Sequence, residues 1–187
     1  MANLFAFLSM EKEINSYPSL NEKLAFINGY LSSIAILNST ANNGMEHWMI
    51  DLGSIDENVA NTIKKGINAP NWTFKATEIK NWREVIEDEL FFFFSNILHE
   101  IQGSKEYYNN TERRYDLTEK YNLKAQLGYF IKMLTDLFSH CQLKAVYNVE
   151  VDFSAEWYNP YFAHGESNFA FEIESNQLLY LHLGAFD

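Results

Sequence analysis

The spacing of apolar residues changes period near residue 144, and that change limits the folds open to this chain. Upstream, apolar side chains recur every three or four residues. Leu24, Ile27, Leu31 and Ile34 form one stripe, Trp82, Ile86, Leu90, Phe93, Ile97 and Ile101 a second, and Leu123, Leu127, Phe130, Ile131, Leu134 and Phe138 a third. Downstream they alternate. Ala145, Tyr147, Val149, Val151 and Phe153 form one set, Phe169, Phe171 and Ile173 another, and Leu179, Leu181 and Leu183 a third. A period of 3.6 puts apolar groups on one face of a helix, and a period of 2 puts them on one face of a strand. The expected fold class is therefore α+β. A helix-rich N-terminal two-thirds should pack on one face of a small C-terminal antiparallel sheet, all within a single domain, 1–187.

Local signals set the expected boundaries. Residues 3–14 suggest a short helix. Ser19 and Glu22 have the spacing of a capping box, and the helix behind them should run to about Leu37 before a turn-rich loop, Asn38 to Gly44. Residues 46–53 read as a strand or an extended loop. Ser54 and Glu57 form a second box before Ile55, Val59 and Ile63, with Gly66 as a left-handed stop, and residues 68–77 are extended around Pro70. Phe91 to Phe94 point in every direction around one turn, so their helix should be the central one. A polar loop with Tyr107 and Tyr108 follows, then a third box, Asp116 and Glu119. Ser175-Asn176-Gln177 reads as a hairpin loop.

Composition excludes several function classes. The net charge is −11, which argues against nonspecific binding to nucleic acid or to an anionic membrane. No apolar run approaches the length of a membrane span, and the N-terminal stretch lacks the basic start of a signal peptide, so the expected location is cytoplasmic. Cys141 is the lone cysteine and falls in an apolar helical pattern, where it reads as a small buried hydrophobe. His47, His99, His140, His164 and His182 are scattered and form no zinc-ligand spacing. The glycines make no phosphate-binding cluster, and no nucleophile elbow occurs. No catalytic residue, metal ligand or cofactor is assigned.

What stands out is charge. From Ala145 to Asp187 there are seven carboxylates and no lysine or arginine. Strands sort side chains by face, so Glu150, Asp152, Glu172, Glu174, Tyr180 and His182 are expected on one polar sheet face. The long connection from Glu156 to Glu166 adds Trp157 and Tyr158 as candidate aromatic anchors. An acidic face suits a basic partner; the competing reading is an ordinary solvated surface.

In size, acidity and acid-plus-aromatic surface the chain resembles the bacterial immunity proteins of interbacterial toxin systems. That resemblance implies a protein inhibitor whose partner is a cognate, basic toxin domain. Two other readings remain open. One is a small-molecule binder or enzyme, with a pocket between the sheet and the central helix, using His182 and His164 as acid–base groups. The other is a scaffold that self-associates through aromatic surface. The oligomeric state is open. From the charge alone, a mobility-shift titration with DNA or RNA at physiological salt should give no submicromolar midpoint; such a midpoint would overturn the charge argument.

Overall fold

The computed structural model describes residues 19–42, 45–68, 71–101, 123–152, 165–174 and 176–186. The helix expected at 3–14, the Tyr107–Tyr108 loop, the Asp116–Glu119 box and the aromatic positions Trp157 and Tyr158 lie outside the described residues.

Helix α1 (Leu20–Asn42) begins at the expected capping box. The Ser19 N–H donates to Glu22 Oε2 at 3.1 Å, and the Glu22 N–H donates back to Ser19 Oγ at 3.3 Å. The helix does not stop near Leu37. Asn38 is buried inside it, and its amide donates to the Phe93 carbonyl at 2.9 Å. That tertiary bond outweighs the weak helix propensity of the Asn- and Ser-rich stretch that follows. Strand β1 (Met45–Ser54) comes next, then helix α2 (Val59–Gly66).

The Ser54–Glu57 box does not cap α2. Asn58 does, its side chain accepting from the Asn61 N–H at 2.9 Å. Nor is Gly66 the left-handed stop: that conformation falls to Asn68, at φ 52°, an amide residue that tolerates it better than most. The remaining elements are β2 (Thr73–Glu78), α3 (Trp82–Ile101), α4 (Leu123–Cys141), β3 (Leu143–Asp152), β4 (Gly165–Ile173) and β5 (Gln177–Phe186).

The fold class is α+β, as the change of period requires, but the sheet is larger than the C-terminal pattern predicts. Its order is β1-β5-β4-β3-β2, with every neighbouring pair antiparallel. The expected meander β3-β4-β5 forms the middle. Two strands from the N-terminal half complete it, β1 beside β5 and β2 beside β3.

The sheet buries apolar side chains on both faces, and this corrects the expectation of helices on one side only. Under α1, α3 and α4 lie Trp48 and Ile50 of β1, Leu179, Leu181 and Leu183 of β5, Phe169, Phe171 and Ile173 of β4, and Val146 of β3. The opposite side chains of the same strands, Ala170 and Leu178, belong to a second cluster. Val59 and Ile63 of α2 cover it, together with Trp72, Phe74 and Val149.

Between Leu143 and Ala145 the β3–β4 register shifts. After the shift Val146 stands opposite Phe171 and enters the main core. Tyr147, Val149 and Val151 then fall on the α2 side, so the apolar set of β3 faces away from the apolar sets of β4 and β5. One extra residue in a strand reverses the face of every later side chain.

The main core is aromatic. Trp48 meets Phe93 edge-on, with ring centroids 5.8 Å apart, and Phe94 at 5.4 Å. Phe94 also meets Phe130 at 5.8 Å, and Trp82 meets both Phe138 and Phe171 edge-on. Phe93 and Phe94 are 2% and 1% exposed and Phe91 is half-buried, which agrees with α3 as a central element. Phe93→Ala should therefore lower unfolding free energy by about 3–5 kcal/mol in urea titrations; a loss below about 1 kcal/mol would mean that the core does not depend on this ring.

Candidate functional site

The two clusters leave two polar areas on the sheet, diagonally opposed. The first lies on the α1/α3/α4 side of β2 and β3, beyond Val146. The residues there are Asn148, Glu150 and Asp152 on β3, and Thr73, Lys75 and Thr77 on β2. Glu150 stands opposite Lys75, and Asp152 opposite Thr73. Lys75 Nζ reaches Glu150 Oε2 at 2.9 Å, with both side chains about two-thirds exposed (67% and 60%). A pair so open to water contributes little to stability. Asp152 is exposed and leads directly into the segment that carries Trp157 and Tyr158.

Glu172 lies on the other face. It stands opposite Leu178 and, across the irregularity, opposite Ala145. Its carboxylate accepts from the Tyr147 hydroxyl at 3.2 Å and lies 3.8 Å from Lys144 Nζ. Its charge is thus partly neutralised and its side chain is part of the packing. Glu174 sits at the β4–β5 turn, exposed, where its N–H donates to the Gln142 carbonyl at 3.0 Å. The six residues expected on one polar face therefore do not share one. The β3 register shift separates Glu150 and Asp152 from Glu172, Tyr180 and His182.

Tyr180 and His182 do come together, through a residue that the sequence analysis did not single out. Asn168, on β4 directly opposite His182, is buried. The Tyr180 hydroxyl donates to Asn168 Oδ1 at 2.6 Å, and His182 Nδ1 lies 2.7 Å from the same oxygen. A carbonyl oxygen only accepts, so His182 carries its proton on Nδ1. The His47 ring on β1 lies 6.1 Å from that of His182.

Glu166, two residues before Asn168 and so on the same face, completes the group. Its Oε2 is buried and has no hydrogen-bond partner among the described residues. Burial raises the Glu166 carboxyl to about 7, the Asn168 hydrogen bond offsetting this only in part. Burial, with the His47 charge added, lowers His182 to about 4, so its ring is neutral at physiological pH. Tyr180 is raised by burial and by Glu166. The signal for Asn168 was present in the sequence: it alternates with Phe169 and Phe171 in a strand where they point inward, and its neighbours two places away are Glu166 and Ala170.

The space between sheet and central helix is occupied by the aromatic core, and His182 faces away from it. His182 is therefore not placed between the sheet and the central helix. Among the described residues no three of His, Cys, Asp and Glu gather as metal ligands, and no helix is long and apolar enough to cross a membrane. Cys141 is half-buried, its thiol donating to the Leu137 carbonyl at 3.2 Å.

No protein-family model matches this sequence, and a comparison with curated proteins finds no match. Among solved structures, a crystal structure of citrus MAF1 aligns with 84% of this chain and 98% of its own, at 9% identity and a TM-score of 0.34. A likeness at that level carries no argument about fold or function.

Glu166 and His182 give stability opposite pH dependences. Glu166 binds its proton more tightly folded than unfolded, so its contribution is present below about pH 4.5 and is lost as pH rises through about 7. His182 binds its proton less tightly folded, so its contribution is present above about pH 6.5 and is lost as pH falls towards 4. Glu166→Gln removes the first effect alone. Relative to wild type it should gain about 1–2 kcal/mol between pH 4 and pH 8, after allowing for solvent screening of a part-exposed group. Urea titrations across that range should show the gain, and a pH-independent difference would contradict the assignment.

Proposed function

We propose that this chain is an immunity-type inhibitor, acting in the cytoplasm, that binds and neutralises a basic toxin domain. The observation that carries this reading is the single sign of the charge from Ala145 to Asp187, seven carboxylates without a lysine or arginine, in a stretch that includes strands β3, β4 and β5. A surface of that kind attracts a cationic partner, speeds encounter and disfavours anionic ones.

The contact surface in this proposal is narrower than the sequence alone suggests. Glu150 and Asp152 are exposed, Glu150 pairs with the exposed Lys75, and both adjoin Trp157 and Tyr158 in the chain. Glu172 contributes less, because Lys144 and Tyr147 already engage its carboxylate. The partner's Lys and Arg would pair with Glu150 and Asp152, and Trp157 and Tyr158 would supply aromatic anchors.

The test uses the product of the gene immediately upstream as the ligand; this reading expects that product to carry the toxin domain. Glu150→Lys combined with Asp152→Lys should leave the fold intact and slow association, with a loss of affinity that shrinks as salt is raised. Trp157→Ala or Tyr158→Ala should each cost about 2 kcal/mol of binding if either is an anchor. Glu172→Lys is unsuitable for this purpose, since it breaks a half-buried contact. Unchanged association by the folded double variant would reduce the acidic strip to a solvated surface.

A further inference from the structure

Strand β1 is an edge of the sheet, paired only with β5 among the described strands. It is ten residues long, and an edge of that length is a template for another strand. One side chain changes this. Asn28 of α1 donates from Nδ2 to the Ile50 carbonyl at 2.9 Å and accepts at Oδ1 from the Ile50 N–H at 2.7 Å. The N–H and C=O of one strand residue point to the same side, so Ile50 directs both away from β5. Asn28 thus makes the two bonds that a residue on a further strand would make.

By the same alternation Trp48 and Leu52 also direct their backbone groups outward, on either side of the Asn28 contact. The edge therefore has a blocked centre. A strand cannot add across Ile50 without first displacing an amide that is bound at both ends.

We infer that Asn28 is an edge guard, which keeps β1 from pairing antiparallel with β1 of a second copy of this chain. The second copy is the occupant because the edge is self-complementary. Two β1 strands centred on Ile50 would set Trp48 against Leu52, Met49 against Asp51, His47 against Gly53 and Glu46 against Ser54. No like charges meet directly, and a two-fold pairing satisfies the outward groups of both copies.

Two measurements test this. In the wild-type protein, amide exchange at Ile50 should be at least tenfold slower than at Trp48 and Leu52, whose outward amides Asn28 does not reach; equal rates at the three positions would overturn the guard. Asn28→Ala should fold, since alanine suits a helix interior, and sedimentation should show a concentration-dependent dimer that the wild type does not form. Adding Leu52→Pro to that variant removes an outward donor without touching the β5 ladder, and should abolish the new dimer. A folded Asn28→Ala protein that sediments like wild type at every concentration overturns the proposal, as does a dimer indifferent to Leu52→Pro.

Discussion

Strands β4 and β5 hold apolar side chains on both sides of their pleat, and the rest of the molecule is arranged to cover them. Phe169, Phe171, Leu179, Leu181 and Leu183 need a cover on one side, and Ala170 and Leu178 on the other. Burying one such large side chain is worth about 1.5–3 kcal/mol, so neither side can be left to water. Three long helices cover the first side. The second is covered by the short helix α2 and by the aromatic pair Trp72 and Phe74, whose rings lie 6.4 Å apart. Among the described residues, covering is complete on neither side. On the first side β3 and β2 turn polar residues outward, and on the second Tyr180 and His182 hydrogen-bond to Asn168, with His47 and Glu166 on the same face.

Much of this was readable in the sequence, for reasons that differ between elements. The stripes of α1, α3 and α4 and the alternation of β4 and β5 follow from periodicity, which depends only on backbone geometry. The Ser19–Glu22 box was readable because both partners are local. Other features depend on distant groups. Asn38 stays helical because Phe93, 55 residues away in the chain, offers it a carbonyl. Residues 46–53 were ambiguous until β5 was available to pair with them. The register shift in β3 had the largest effect, since Tyr147, Val149 and Val151 alternate as well as any strand and nothing local says which face they choose. Of the candidate site, the pairing of Tyr180 with His182 was legible, whereas Asn168, which joins them, looks locally like any other polar position of an alternating strand.

The two polar areas differ in physical character. The strip of Glu150 and Asp152 is open to water, so its charges act at a distance and are screened by salt. At the centre of the other group Asn168 and His182 are buried, and Tyr180 and His182 both bond to Asn168. Burial holds His182 neutral and favours the protonated form of Glu166. An open charged strip suits encounter with another molecule, whereas an enclosed, internally bonded group suits the positioning of neighbouring strands. The proposed contact surface is placed on the first for that reason.

The hairpin between β4 and β5 has a consequence for how the chain matures. Asn176, in the left-handed conformation at φ 56°, accepts from the Ile55 N–H at 2.9 Å through its carbonyl and donates to the Ile55 carbonyl at 3.1 Å through its side chain. That contact spans 121 positions of sequence, and beyond it β5 lies between β1 and β4 inside the sheet. The strand latest in chain order therefore occupies an interior place. On a ribosome, α1 and β1 emerge long before the strand that pairs with β1, so the sheet cannot close until residues 177–186 are available. Contacts this distant in sequence also slow folding of the released chain. The interval between synthesis and closure of the sheet is when a nascent copy is most open to chaperones and to aggregation.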